Sequence, residues 1–143
     1  MKPRHLLVVL FFWLLTMPAH AGDPLPIPDP DKFSDAIMTD LALQHASEVA
    51  AKISETLGVP EQKSTIESTL KFIVDKKINY RKKVLDRDIA GALRQIVHYT
   101  YTRGIGFVYF RFNYKQTDSG WILAHFTFAS EVNELFPPGM NLE

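Results

Sequence analysis

The apolar residues of this chain change spacing once, from helical to strand period, and that switch limits the possible folds more than composition does. From Ser34 to Leu57 they recur at multiples of four: Ile37, Leu41, Val49, Ile53 and Leu57, with Ala42, Ala46 and Ala50 beside them. The spacing predicts one helix over 34–57, capped by Ser34 and stopped by Gly58 and Pro60. A second helix starts between Pro60 and Ser64, where Ser64-Thr65-Ile66-Glu67 fits a capping box. Its apolar side is Ile66, Leu70, Ile73, Val74 and Ile78. Two helices joined by so short a break pack as a hairpin. Asn79 to Leu85 reads as a loop or a short edge strand. Asp86 suits the cap of one more helical turn through Ile89 and Leu93.

In the C-terminal third the period becomes two. Val97–Tyr101, Phe107–Lys115 and Trp121–Phe128 are rich in β-branched and aromatic residues, separated by short connections around Gly104, Gly106 and Gly120. They predict an antiparallel meander. Alternation assigns Val97, Tyr99, Tyr101, Val108, Phe110, Phe112, Tyr114, Ile122, Ala124, Phe126 and Phe128 to an apolar face that receives the helices. His98, Thr100, Tyr109, Arg111, Asn113, Lys115, Trp121, Leu123, His125 and Thr127 fall on the other face. Burying each large side chain of the first set contributes about 1.5–3 kcal/mol. The expected class is α+β, an N-terminal helical hairpin packed on a C-terminal antiparallel β-meander.

The segment before the helices reads differently. Lys2 and Arg4, the apolar run Leu6–Leu15 and Ala19-His20-Ala21 have the form of a cleavable signal peptide over 1–21. The run is shorter than the ~20 apolar residues that span a bilayer, so no transmembrane anchor is expected in the mature form. The address implied is periplasmic or secreted, from a bacterium. Alternate prolines from Pro24 to Pro30 suggest an extended tether over 22–33, followed by a single domain over 34–143. Without Lys2 and Arg4 the 16 basic residues become 14 against 16 acidic, a balance that gives no reason to expect nucleic acid as partner. The chain has no cysteine, which excludes disulfides, thiol nucleophiles and cysteine metal ligands.

Helices first and a meander second, with Tyr109-Phe110-Arg111-Phe112, Gly120-Trp121-Ile122-Leu123, Phe126-Thr127-Phe128 to Glu131 and Leu135-Phe136-Pro137, resembles exported bacterial proteins of unknown function in the cystatin-like α+β cone group, the ketosteroid-isomerase and nuclear-transport-factor-like superfamily. The resemblance implies a cone-like fold with room for a pocket between sheet and helices. It covers a pattern of aromatics, and the isomerase acid–base residues have no counterpart. Fold likeness assigns no chemistry.

Three constellations are candidates for function. If the hairpin loops run from Thr102 to Phe107 and from Lys115 to Trp121, then His98, Arg111 and His125 form a cross-strand row flanked by Tyr109 and Asn113. Such a row suits a carboxylate or phosphate. It equally suits a solvated face or a homodimer interface, and a slip of one residue in register removes it. The second candidate is an aromatic pocket of Tyr99, Tyr101, Phe110, Phe112, Tyr114 and Phe126 for a small apolar ligand, against plain core packing of the same rings. The third is the basic run Lys71, Lys76, Lys77, Arg81, Lys82, Lys83 and Arg87, which suits an anionic polymer or an acidic partner, against an ordinary solvated face.

No metalloprotease pair, serine elbow or phosphate loop is present, and no catalytic residue, metal site or cofactor is expected. The reading is a non-catalytic envelope protein that binds a partner protein or small ligand. The alternative is a small isomerase-like or hydrolase-like enzyme using the aromatic pocket.

Overall fold

A computed structural model describes residues 22–131 and Glu134. The expected signal over 1–21 lies outside these residues. So does the expected final helical turn over 130–136, apart from Ser130, Glu131 and Glu134. The elements are β1 (Pro26–Ile27), α1 (Pro30–Ala42), α2 (Ala46–Thr56), α3 (Lys63–Val74), β2 (Ile78–Ile89), β3 (Leu93–Thr102), β4 (Gly106–Thr117) and β5 (Gly120–Ala129). The sheet is antiparallel with order β1-β5-β4-β3-β2, and the helices cover one face in a cone-like α+β arrangement. Irregular pairing at Ile78/Tyr80, Lys83/Leu85 and Asn113/Tyr114 bends the strands. Among the described residues no helix is long and apolar enough to cross a membrane.

The proline-rich segment is part of the fold and not a tether. Pro26 and Ile27 pair with Ile122 and Trp121, and Ile27 is buried in the core. Gly22 N donates to Gly58 O at 2.6 Å and Leu25 N to Thr56 O at 3.1 Å. Prolines lack a donor but are tolerated on a sheet edge, and Pro30 opens α1 behind the Asp29 cap. The Asp29 carboxylate accepts from Asp31 N (3.0 Å) and Lys32 N (3.3 Å).

The single helix expected over 34–57 is two. It breaks at Gln44, whose φ of 65° is left-handed and whose side-chain amide donates to Val74 O at 2.7 Å. Neither glycine nor proline marks that corner, so only the contact with α3 reveals it. The stripe survives the break: Ile37, Leu41, Val49 and Ile53 are all fully buried. Gly58, at φ 74°, ends the second of the two as expected. The capping box does not form, because a 3-10 turn over Pro60–Gln62 leads directly into α3 and leaves Ser64 inside its first turn.

Of the two readings of Asn79–Leu85 the edge strand is the one present; it runs longer than expected, over residues 78–89, so no helical turn capped by Asp86 forms there. Ala90 (φ 54°) and Gly91 (φ 67°) supply the left-handed corner that returns the chain into β3.

The β3–β4 loop is tighter than expected, since Thr102 pairs with Gly106. Every residue of β3 therefore shifts face relative to β4. His98 stands opposite Phe110 and Thr100 opposite Val108 on the inner, helix-facing side. Val97, Tyr99 and Tyr101 stand opposite Arg111, Tyr109 and Phe107 on the outer side. In β5 the irregularity at Ala124 brings Leu123 inward, opposite Tyr114, and turns Ile122 outward, opposite Lys115. Trp121 packs against the core beside Ile27. The core itself joins Ile37, Leu41, Val49, Ile53 and Leu70 to Ile96, Phe110, Phe112, Tyr114 and Leu123.

Candidate functional site

The two candidate constellations of the sheet exchange members when the chain folds. The polar row loses His98 to the inner face, while Tyr109, Arg111, Asn113 and His125 stay together outside. Arg111 is opposite Thr127, and His125 is opposite Asn113. The aromatic pocket divides as well. Phe110, Phe112, Tyr114 and Phe126 are buried and pack on one another, with Phe112–Phe126 centroids 5.0 Å apart and Phe110–Phe126 6.4 Å apart. These four are core. Tyr99 and Tyr101 lie on the opposite side of the sheet.

Inside, a polar node joins α1 to the sheet. Ser34 Oγ donates to Asp31 O at 2.9 Å, and His98 Nε2 lies 3.3 Å from the same Oγ. With the serine hydrogen so engaged, the contact is satisfied when Nε2 carries the ring proton and donates to Ser34. Asp35 Oδ1 approaches that same nitrogen at 3.7 Å and Lys83 Nζ at 3.7 Å, and Lys83 also pairs with Asp31. Arg94 holds Asp86 with two bonds of 2.9 and 2.8 Å, which keeps the Asp86 carboxyl below its ordinary range. Burial pushes the His98 pKa down to about 4, against the pull of Asp35, so the ring is neutral at pH 7. Burial likewise raises the Tyr114 phenol, against the opposing effect of the Ser34 side chain.

Ser34 and His98 do not form a nucleophile–base–carboxylate relay. Both the serine and Asp35 address Nε2, so Asp35 does not orient the ring through Nδ1. Ser34 is fully buried, out of reach of a substrate. The node is suited to anchoring α1 over the sheet.

Outside, the faces of β2, β3 and β4 carry a connected set of rings. Tyr80–Tyr99, Tyr99–Phe107, Tyr99–Tyr109 and Tyr101–Phe107 centroids are 5.6, 5.9, 6.1 and 5.2 Å apart. Phe107 is 51% exposed, Tyr80 49% and Tyr101 39%, so these rings are open to a partner. Hydrogen bonding with the Tyr80 hydroxyl holds the Tyr99 phenol above its ordinary range. Exposed Ile89 and Leu93 extend the apolar surface to the far hairpin. Gln95 donates to Asn113 Oδ1 at 3.1 Å. Burial lowers the Arg111 pKa, and burial with the nearby Arg111 charge lowers that of His125. The Nδ1 atom of His125 is buried without a partner among the described residues.

The basic run is not one stripe. Alternation along β2 turns Arg81 and Lys83 inward, to Thr39 (3.0 Å) and to Asp31 and Asp35, and leaves Lys82 and Arg87 outside. Tyr80, Lys82, Arg87 and Phe107 are outer-face residues that the sequence reading did not assemble. The available signal was Tyr80-x-Lys82 alternation upstream of Ala90-Gly91, a strand and turn pattern. Among the described residues no three His, Asp or Glu side chains gather as a metal site.

No family model matches the chain, and no curated protein matches it. Among solved structures the chain is similar to one described as a calcium/calmodulin dependent protein kinase II association domain from Xanthomonas campestris, at 17% identity and a TM-score of 0.43, covering 80% of this chain and 98% of that one.

Proposed function

We propose that this chain is a non-catalytic binding protein of the bacterial envelope, and that the outer face of its sheet recognises a protein partner. The observation that carries the reading is the connected cluster Tyr80, Tyr99, Tyr101, Phe107 and Tyr109, with three of its rings open to solvent. Contiguous exposed apolar surface with polar neighbours marks an interaction site, and aromatic residues are enriched in such sites. Edge-to-edge pairing is opposed on the β2 side by Arg81, Lys82, Lys83 and Arg87 and by two irregularities in the ladder. Association therefore uses the face.

The envelope address rests on the signal-like residues 1–21. The enzyme reading draws on the inner face, where the rings of the expected pocket pack on each other and Ser34 is buried, so the geometry supports it less. A homodimer through the sheet is a second form of the same reading, since the exposed rings suit a second copy as well as another protein.

A photo-crosslinking residue in place of Tyr101, in the producing cell, tests the reading. A protein adduct is expected that is absent when the same residue replaces Phe72, an exposed ring on α3. An adduct of twice the chain's mass would identify the homodimer. Equal labelling from both positions, or none from Tyr101, would remove the outer face as the recognition surface.

A further inference from the structure

The fixed charges on the outer face are all of one sign. Pairing places Lys82, Arg87, Arg111 and Lys115 there, opposite Tyr99, Gln95, Val97 and Leu93. No Asp or Glu of residues 78–129 joins them. Asp86 and Asp88 stand opposite Ile96 and Arg94 on the other face, and Asp118 lies in the β4–β5 turn. His125, the remaining titratable imidazole on this side, is kept neutral by burial and by Arg111. Meanwhile Asp31, Asp35 and Asp86 are engaged with Lys83 and Arg94 on the inner side. The fold thus leaves cations without carboxylates on the outer face and pairs cations with carboxylates on the inner side, although the whole chain carries equal numbers of acidic and basic residues.

We infer that the partner docks through an acidic segment that also carries apolar side chains, an inference that rests on the outer-face reading above. Carboxylates of such a segment meet Lys82, Arg87 and Lys115, all exposed, while its apolar residues cover Tyr101, Phe107 and Tyr80. A second copy facing this surface squarely would oppose cation to cation, which costs affinity. A single-stranded nucleic acid would use the rings but leave the aliphatic end at Ile89 and Leu93 uncovered. The neutral overall charge also gives little long-range attraction to a polyanion or an anionic bilayer.

The test measures binding of labelled probes to the chain by fluorescence anisotropy. The first probe is a short peptide of glutamates interrupted by phenylalanine and leucine. Its comparators are the same peptide with lysine for glutamate, an oligo-thymidine strand, and vesicles of phosphatidylglycerol and phosphatidylcholine. The glutamate peptide is expected to bind at least about tenfold more tightly than the lysine peptide, and to weaken as salt rises. Lys82→Glu with Arg87→Glu should reverse that preference, whereas Lys71→Glu on α3 should leave it unchanged. Tighter binding of the oligonucleotide or vesicles, equal binding of both peptides, or a salt-resistant dimer seen by sedimentation would overturn the acidic partner. If Tyr101→Ser with Phe107→Ser weakens both peptides equally and charge reversal does nothing, the outer-face reading stands and this inference fails. If neither pair of substitutions changes any binding, both fail. Circular dichroism melts confirm that each variant is folded.

Discussion

His98 Nε2 lies 3.3 Å from Ser34 Oγ, on the inner face of β3 beneath the first turns of α1. The contact places a titratable ring where its charged form is poorly solvated, beside Lys83 and Arg81, with Asp35 as partial compensation. Its folded pKa of about 4 is below the ordinary histidine value of 6.5. Between those values the unfolded chain holds more protons than the folded one. The stability is therefore complete above about pH 6.5 and declines as pH falls toward 4, by up to about 3 kcal/mol. Urea unfolding at pH 7, 5.5 and 4.5 should show the decline, and His98→Gln should flatten it. An unchanged pH slope in the variant would assign the decline to other groups.

Ile27 tests whether the N-terminal segment belongs to the fold. It is 5% exposed, pairs with Trp121 and packs against the core. Ile27→Ala should cost about 2–3 kcal/mol in chemical unfolding, the range for truncating a buried aliphatic side chain. A tether residue would cost nothing measurable.

Gly58 combines a left-handed backbone with close approach. Its φ is 74°, and a Cβ there would lie 2.2 Å from Gly22 O. Gly58→Ala should lower stability by about 2 kcal/mol, from strain and from displacement of residues 22–25. Thermal unfolding measures the loss, and increased protease cleavage near Asp23 should accompany it. A variant as stable as the parent would show that residues 22–25 can leave Gly58 at no cost.

Phe110 and Phe107 are neighbours in sequence terms on one strand but belong to opposite faces. Phe110 is fully buried and Phe107 half-exposed. Phe110→Ala should cost about 3–5 kcal/mol, while Phe107→Ser should change stability by less than about 1 kcal/mol and act on partner binding instead. Paired chemical unfolding curves for the two variants decide this. Comparable losses would mean that the outer rings are structural.

The helical stripe, the strand centres and the stop at Gly58 were readable because each is a local pattern. Ile37, Leu41, Val49 and Ile53 remain buried even though their helix is broken at Gln44. The break was not readable, since Gln44 turns left-handed only with Val74 O to receive its amide. Residues 79–85 read as either a loop or a short edge strand because an edge strand rich in lysine and arginine has too little apolar alternation to declare itself, and nothing local shows that it runs on to Ile89. The proline segment hides its strand for a related reason. Missing donors exclude a central strand, but a two-residue edge strand beside β5 tolerates them.

The polar row shows where local reading stops. Tyr109, Arg111 and Asn113 share a face as alternation within β4 requires, and this much followed from spacing alone, whereas His125 joins them through its pairing with Asn113. Whether His98 or Val97 joins Arg111 depends on one residue of loop length between Thr102 and Gly106. The strand period is two, so that residue decides the side of the sheet for all of β3. By itself the sequence determined helices before sheet, which segments alternate, and the supply of rings and cations. Tertiary pairing decided which rings became core and which became surface, because register is set by closure across the whole sheet and not by any window of neighbouring residues.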